Sequence, residues 1–293
     1  MHSSNAIPKR VVLLGSGARR PGLIAAAERL RPIIGQYFEI VDEDLNGTSK
    51  LRNLDADMAI VMGGDGSILR AAKAMRQKPL PVLGVNLGKL GFLADIQPDQ
   101  LESALKKITE GKYRTIDHLM MRCQVFENDQ LICDETGLNE AAILGGPPFS
   151  IQQFDLYIDT EFSTSYRCDG LIVSTPVGST AHNLSAGGPI LRKNLQAFVI
   201  SPISPHTLTV RPVVDTADRI YEIVVPEPNE STSVVLDGEV LSKLDSRHRV
   251  RIQRADSIFR LIEIEGKGYY RTLREKLGWG GAIDHTKRDR NQT

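Results

Sequence analysis

The first third of the chain alternates short apolar runs with segments of helical periodicity. Residues 11–14 are all apolar, which is typical of a strand covered on both faces. Residues 23–34 carry apolar side chains at helical spacing, and residues 67–75 also predict a helix. Further strands are predicted at residues 38–41, 58–62 and 81–85. This alternation predicts an α/β N-terminal domain with a parallel sheet.

After about residue 115 the period changes to the alternation of half-buried strands. Apolar and polar residues alternate at 154–158, 250–252 and 259–264, where the phase slips by one residue after Leu261. Turn signals are present at Asn128-Asp129, Asp237-Gly238 and Ala255-Asp256. The pattern predicts a mainly antiparallel β-sandwich domain.

We therefore predict three parts. Residues 1–115 form the α/β nucleotide-binding domain, and residues 116–270 form the β-sandwich domain. Residues 271–293 form a C-terminal segment. A helix predicted at 270–279 packs back on the first domain, and the charged tail from residue 285 is frayed.

Composition narrows the choice of partners. The chain is 41% hydrophobic and 25% charged, with a formal net charge of zero. It lacks the basic excess of a nucleic-acid binder or a polybasic membrane anchor, so we expect neither nucleic acid nor membrane as a partner. Three widely spaced cysteines, a first apolar run too short for a signal peptide and the lack of a membrane-span pattern predict a cytoplasmic protein.

The segment Gly63-Gly64-Asp65-Gly66-Ser67 lies between a predicted strand and a predicted helix, with Ser67 placed to cap the helix. Glycines and a helix N-terminus present backbone N–H groups to an anion, and a phosphate suits that geometry. Asp65 is awkward beside an anion unless it accepts a proton or holds a cation. The alternative is a tight turn with an exposed aspartate.

A second glycine-containing segment, residues 86–93, directly follows the next predicted strand. Loops at two adjacent strand ends would line one crevice, where open α/β sheets bind ligands. There Lys89 could meet phosphate and Phe92 could pack on a base. The alternative is a solvated Lys89 and a Phe92 in the core.

A third segment, residues 169–189, is crowded with hydroxyl groups and glycines after a β run. Its neutral donors and acceptors suit ribose, amide and base edges better than bare phosphate. The alternative is a Ser/Gly-rich connection without a ligand. Residues 15–20 fail as a dinucleotide fingerprint because Arg20 occupies the position of the third glycine.

These three segments, in this order and spacing, resemble the NAD kinase family, and the resemblance extends from residue 11 to residue 280. It includes Leu138-Asn139-Glu140, residues 204–207 with Arg211-Pro212, and residues 273–279. The resemblance implies phosphoryl transfer from ATP to the adenosine 2′-hydroxyl of NAD, which gives NADP. It also implies an α/β domain followed by a β-sandwich domain that holds NAD, assembled as a homodimer or homotetramer.

Carried onto matching positions, the resemblance makes Asp65 the catalytic proton acceptor for the 2′-hydroxyl. Mg²⁺ is expected to accompany ATP, and no side chains are assigned as metal ligands. The implied phosphate-binding residues are Gly63, Gly64, Gly66 and Ser67. The implied NAD-binding residues are Asp65, Gly66, Asn139, Glu140, Arg167, Asp169, Thr180, Ala181, His182, Asn183, Leu184, Ser185 and Glu239.

Three positions depart from the family pattern. His182 stands where tyrosine is usual, and Glu239 stands where glutamine is frequent. Ser150 stands where a basic or imidazole side chain often contributes, so no contact is carried over to it.

Two other function classes stay open at this point. A lipid kinase or a phosphofructokinase also uses a glycine-aspartate loop, although neither substrate needs a dinucleotide cradle such as residues 175–188. A non-catalytic NAD-binding regulator is the other alternative, and the intact Asp65 weighs against it.

Overall fold

The computed structural model describes residues 7–17, 22–47, 55–75, 78–88, 91–207, 209–265 and 269–278. The helices are α1 Gly22–Gly35, α2 Asp65–Ala74, α3 Leu101–Thr109, α4 His182–Ser185 and α5 Tyr269–Leu277. The strands are β1 Arg10–Leu14, β2 Glu39–Asp44, β3 Met58–Gly63, β4 Val82–Asn86, β5 Tyr113–Glu127, β6 Gln130–Gly137, β7 Glu140–Leu144, β8 Gln152–Ile158, β9 Glu161–Cys168, β10 Gly170–Ser174, β11 Ala197–Ile203, β12 Val213–Thr216, β13 Tyr221–Val224, β14 Ser233–Leu236, β15 Glu239–Lys243 and β16 His248–Ile264.

The first four strands form a parallel sheet in the order β2-β1-β3-β4. Helices α1 and α3 cover one face, where Leu23 and Leu105 share a core with Leu13. Helix α2 covers the other face, where Ile68 packs with Val12. Apolar side chains on both faces of β1 and β3 explain why these strands read as continuous apolar runs. The predicted α/β domain is confirmed.

The later strands form two packed antiparallel layers. One layer has the order β12-β11-β10-β7-β14-β15, and the other contains β9, β8, β13, β16, β5 and β6. Phe154, Phe198 and Tyr221 are fully buried between the layers. The predicted β-sandwich is confirmed.

Strand β16 belongs to both parts of the molecule, because it pairs with β5 and β13 and also runs parallel to β4. Its C-terminal half lies in the parallel sheet and is covered on both faces. Phe259 and Leu261 pack in the core beneath α2, while Ile262 and Ile264 pack in the core beneath α1 and α3. This double burial is the reason for the phase slip after Leu261.

The predicted turns have different outcomes. Asn128-Asp129 and Asp237-Gly238 are two-residue hairpin turns with positive φ at both positions, as predicted. The turn predicted at Ala255-Asp256 is wrong, because β16 continues through it with an irregularity between Arg254 and Ile258. A bulge shifts the alternation within one strand, and its sequence signal resembles that of a turn.

The C-terminal helix is confirmed at Tyr269–Leu277, and Leu273 is buried. Trp279 and the charged tail lie outside the described residues. The proposed boundary near residue 115 stays a prediction, and it falls inside β5. Among the described residues, no helix is long and apolar enough to span a membrane.

Candidate active site

The glycine loop joins β3 to α2 at the carboxyl edge of the parallel sheet. Gly63 has a φ of 136°, which favours glycine, and Asp65 is the first residue of α2. The capping role predicted for Ser67 is wrong, because the helix begins two residues earlier and has no side-chain cap. Ser67 is instead buried directly beneath Gly63, where an added Cβ would overlap its hydroxyl oxygen.

The Asp65 carboxylate organises the loop that follows β4. Its Oδ2 atom accepts the backbone N–H of Phe92 at 2.7 Å. Its Oδ1 atom accepts the backbone N–H groups of Leu93 at 2.9 Å and Ala94 at 3.1 Å. Any Cβ at Gly91 would overlap Oδ1, so glycine is required for this close approach. The loops after β3 and β4 therefore meet in one crevice, as the sequence predicts.

Two lysines approach the same loop from distant parts of the chain. The Lys193 ammonium donates to the Phe92 carbonyl oxygen at 2.6 Å, and the Lys276 Nζ atom lies 3.9 Å from the centre of the Phe92 ring. Burial lowers the pKa of both lysines, although Asp65 and Asp95 attract them. Phe92 is therefore a partly buried contact point, and Lys89 lies outside the described residues.

The second half of the candidate site is built around Asn139 and Glu140, where β7 begins. The backbone N–H of Thr175 donates to the Asn139 carbonyl oxygen at 2.8 Å. At Gly178 an added Cβ would overlap the Asn139 carbonyl oxygen, so the loop after β10 lies directly against Asn139. Asn139, Glu140 and the segment from Thr180 onward are thus neighbours in the fold.

Glu140 is a buried acid next to this loop. Burial and the nearby negative charge of Asp237 raise the pKa of its carboxyl group to about 7, while a hydrogen bond from the His182 backbone N–H opposes the rise. Its Oε2 atom is buried without a hydrogen-bond partner among the described residues. An acid held in this way is a functional-site candidate, because a structural role does not require the cost of burying it.

In the predicted contact segment 180–185, the side chains of Thr180 and Asn183 form hydrogen bonds inside the protein, whereas Ser185 lies at the surface. The Asn183 amide donates to the carbonyl oxygens of Ser179 and Pro189, and its oxygen accepts the Ser201 hydroxyl at 2.7 Å. Asn183 therefore shapes the segment through contacts inside the protein. Thr180 donates to the Val177 carbonyl oxygen. Ser185 is exposed, and Thr180, Ala181, His182 and Leu184 are partly buried.

Arg167 and Asp169 are not brought together with Asn139 and Glu140. Both are exposed near the start of β10, and the Asp169 carboxylate lies 3.8 Å from the His206 ring. Glu140 pairs with Ser174 at the other end of β10, four residues away from Gly170, which is roughly 13 Å along a strand.

Glu239 connects the sandwich to α2. Its carboxylate pairs with the Lys73 ammonium at 3.0 Å, so its negative charge is partly compensated. A small cavity of about 80 Å³ lies between α2 and the β14–β15 hairpin. Its lining includes Gly66, Lys73, Thr136, Asp237 and Glu239.

A larger cavity of about 730 Å³ opens on the opposite side of the glycine loop, against α1. Gly63 and Asn86 line it at the strand ends. Leu23, Ala26, Leu30, Leu87 and Pro98 supply apolar surface, and Arg29 and Gln97 supply polar groups. Its size and mixed lining are those of a small-molecule site.

The fold and the site together define a two-domain enzyme of the nucleotide-binding class, with a glycine loop at a strand–helix junction facing a β-sandwich. Residues 24–113 match the family described as ATP-NAD kinase N-terminal domain, and residues 138–264 match ATP-NAD kinase C-terminal domain. The chain belongs to the NAD kinase family.

Individual relatives agree with this assignment. The NAD kinase of Rhodopirellula baltica is 52% identical over 94% of this chain and 88% of its own length. The NAD kinase of Shewanella oneidensis is 43% identical over 78% of each chain.

Solved structures of the family share the fold. An NAD kinase from Archaeoglobus fulgidus in complex with ATP has a TM-score of 0.68 at 27% identity and covers 92% of this chain and 97% of its own. Yeast NADH kinase complexed with NADH has a TM-score of 0.79 at 21% identity, over 96% of this chain and 91% of its own.

Sequence reasoning missed three charged residues around the site, namely Lys193, Asp237 and Lys276. Asp237 was interpreted from the sequence only as part of a hairpin turn, and that interpretation gives no role to its carboxylate. Lys276 is part of the matched segment 273–279, but no local pattern places it over Phe92. Lys193 has no sequence signal, because its contact depends on a separation of 101 residues along the chain.

We predict that Glu140 lowers the stability of the folded protein at neutral pH. Its carboxyl pKa is raised in the folded chain, so the folded chain binds the proton more tightly than the unfolded chain does. The free energy of unfolding should therefore fall as pH rises from about 4.5 to about 7, by on the order of 3 kcal/mol. Because a glutamine side chain cannot ionise, the free energy of unfolding of Glu140→Gln should not show this decrease.

Urea unfolding at pH 5 and pH 8 measures the effect. The stability of Glu140→Gln relative to wild type should increase between the two pH values, while Glu161→Gln at an exposed position serves as the matched control. A stability difference between wild type and Glu140→Gln that is independent of pH would contradict the prediction.

Proposed function

We propose that Asp65 is the general base in the ATP-dependent phosphorylation of NAD that this family member carries out, and that the adenosine 2′-hydroxyl is the acceptor. The observation that carries the proposal is the hydrogen bonding of the Asp65 carboxylate. A carboxylate offers about four acceptor positions. Oδ1 uses two of them for Leu93 and Ala94, and Oδ2 uses one for Phe92. With respect to the described residues, Oδ2 keeps one position that can accept the hydroxyl proton.

The acceptor NAD is held in the cleft on the sandwich side of the glycine loop. Asn139, Glu140 and the segment 180–185 are neighbours there, which supports this placement. The exposed hydroxyl of Ser185 and the main chain of α4 supply polar contacts, while Asn183 maintains the shape of the segment. The dinucleotide is then oriented with its 2′-hydroxyl toward Asp65.

The donor binds with its phosphates at Gly63, Gly64 and Gly66, whereas Ser67 is buried beneath Gly63 and donates its N–H to the Gly64 carbonyl oxygen at 2.8 Å. The N-terminus of α2 supplies aligned N–H groups for the phosphates. The adjacent 730 Å³ cavity reaches Gly63 and offers space for the rest of the nucleotide. Phosphoryl transfer needs positioning and charge neutralisation more than covalent chemistry, and a loop between two ligand sites supplies the positioning.

We further propose that Mg²⁺ reaches the site on the donor phosphates. Within the described part of the chain, no group of three or more His, Cys, Asp or Glu side chains could hold a metal ion. Asp65 is the acidic side chain at the glycine loop, and its remaining acceptor position is the one proposed for the 2′-hydroxyl, so the donor phosphates would carry the ion. When bound, the ion would neutralise phosphate charge.

We also propose a cytoplasmic location, because its reducing conditions suit the cysteines. Cys123, Cys133 and Cys168 are all free. Burial raises the pKa of the Cys168 thiol to about 11, so it is protonated and unreactive at neutral pH.

Replacement of Asp65 tests the mechanism. Asp65→Asn removes proton acceptance and also replaces one oxygen that accepts loop N–H groups by an N–H₂ group, so kcat for NADP formation should fall by at least roughly 10²–10⁴-fold. The Kd for NAD, measured by calorimetry, should change much less, because the proposed contacts to NAD lie mostly elsewhere. A lipid kinase or phosphofructokinase would not form NADP, and a regulator would bind NAD without turnover.

The control for Asp65→Asn is another carboxylate that accepts backbone N–H groups. Asp57 accepts those of Lys9 at 2.8 Å and Arg10 at 2.9 Å, at the opposite end of β3. Asp57→Asn should lose stability without loss of kcat. If Asp65→Asn binds NAD and turns over within about tenfold of wild type, Asp65 is structural and the proposed base is wrong.

Glu239 is proposed to influence the choice between oxidised and reduced nicotinamide. Because Lys73 partly compensates its charge, the preference for cationic NAD over neutral NADH should be at most about 1 kcal/mol, or roughly fivefold. Glu239→Gln removes the negative charge of Glu239, while Lys73 keeps the attraction of Glu135 and Asp237, and it should narrow the NAD/NADH ratio of kcat/KM. Lys73→Met should widen it. An unchanged ratio in both variants would place Glu239 away from the nicotinamide ring.

Assembly as a homodimer or homotetramer is proposed from exposed groups of the sandwich. Arg167 and Asp169 face solvent away from Asn139, and the apolar Ile151 and Phe162 are 48% and 55% exposed near β8 and β9. A second copy would cover such groups. Light scattering should give a multiple of 32.3 kDa, and a fully active monomer would rule the assembly out.

A further inference from the structure

The turn between β14 and β15 makes contacts that a hairpin turn does not need. Asp237 and Gly238 have φ values of 50° and 83°, the left-handed conformation of a two-residue hairpin. That conformation requires only residues that tolerate positive φ, and asparagine tolerates it as well as aspartate does. The carboxylate of Asp237 must therefore be explained separately.

Asp237 binds the main chain of the segment that carries the proposed NAD contacts. Its Oδ2 atom accepts the Leu138 N–H at 2.8 Å, and its Oδ1 atom accepts those of Asn139 at 2.7 Å and Glu140 at 3.3 Å. The Asp237 N–H donates in return to the Glu140 carbonyl oxygen at 3.0 Å. These four bonds connect positions 97 to 99 residues apart and fix three consecutive residues.

The arrangement has an electrostatic cost. Burial raises the pKa of Asp237 despite its three N–H bonds, and the charge of Asp237 in turn contributes to the raised pKa of Glu140. Two acids close together at a domain interface are unfavourable for stability, and such pairs are typical of functional sites.

The same hairpin also contacts the helix that begins with Asp65. Glu239, two residues after Asp237, pairs with Lys73 on α2. Asp237 itself attracts Lys73. The hairpin therefore lies between the two halves of the site and touches both.

We infer that Asp237 is a positioning residue, which fixes the main chain at Leu138–Glu140 so that the side chains of Asn139 and Glu140 meet NAD in the correct orientation. This inference rests on the proposed binding of NAD by Asn139 and Glu140. Asp237 acts through the backbone of that segment and does not contact the reacting atoms.

Asp237→Asn in the full-length chain tests the inference. Asparagine keeps the turn but replaces one carboxylate oxygen by an N–H₂ group, which cannot accept a backbone N–H. KM for NAD and the calorimetric Kd for NAD should each rise by at least roughly tenfold, whereas KM for ATP should stay within about twofold.

Asp129→Asn is the matched control. Asp129 also has positive φ in a two-residue hairpin turn, between β5 and β6, but its side chain is 89% exposed and pairs with Arg249. This variant should keep wild-type kinetics. A rise in KM for both substrates together in Asp237→Asn would mean a merely structural role and would overturn the inference, as would a wild-type Kd for NAD.

Two further measurements keep the result decisive. If Asp237→Asn does not fold, Asp237→Ser is the second variant, because its smaller hydroxyl acceptor leaves space for water to reach the freed N–H groups. KM and Kd for NAD should again rise while KM for ATP stays nearly unchanged. If the wild-type chain forms no NADP, the proposed function fails, but calorimetric NAD binding still tests Asp237 by itself.

Discussion

Three backbone N–H groups donate to the carboxylate of Asp65, and the geometry of the crevice depends on these bonds. They join the first residue of the helix after β3 to the loop after β4, at the edge where parallel strands end. Without the carboxylate, three N–H groups would lose their acceptor, at about 1–3 kcal/mol for each one that stays buried. Asp65 therefore builds the crevice at which we propose that it also acts as the base, and any substitution of Asp65 changes both the loop and the proposed chemistry.

The sandwich domain uses the same device at Asp237. Each carboxylate accepts N–H groups from three consecutive residues, at 92–94 for Asp65 and at 138–140 for Asp237. A short anionic side chain can fix a loop in this way without adding bulk to a cleft that must admit ligands. The consequence is a concentration of negative charge, which Lys73 offsets near Asp237 and which Lys193 and Lys276 offset near Asp65. Glu140 is the buried acid of this group, and burial, followed by the negative charge of Asp237, raises the pKa of its carboxyl group.

Local sequence patterns predicted what local physics determines. The periodicities gave the α/β domain and the sandwich, and the dipeptides at residues 128–129 and 237–238 gave the hairpins. Ala255-Asp256 was misread because a bulge and a turn interrupt alternation in the same way. The partners of Asp65 and Asp237 could not be predicted from pattern, because each contact joins segments at least 27 residues apart. The family resemblance named Asn139 and Glu140, but only the fold identifies what holds them.

The distance between the two halves of the site is set by sheet register rather than by a flexible linker. Strand β4, which leads into the loop around Asp65, pairs with β16 at Val82 and Leu261. Strand β16 pairs with β5, and β5 pairs with β6 up to Gly137, directly before the segment held by Asp237. A one-residue slip in any of these pairings would turn buried side chains to the opposite face, so the register is strongly fixed. The irregularity in β16 between Arg254 and Ile258 lies within this path. It increases twist where the strand passes from the sandwich into the parallel sheet, and thereby lets one continuous sheet serve both halves.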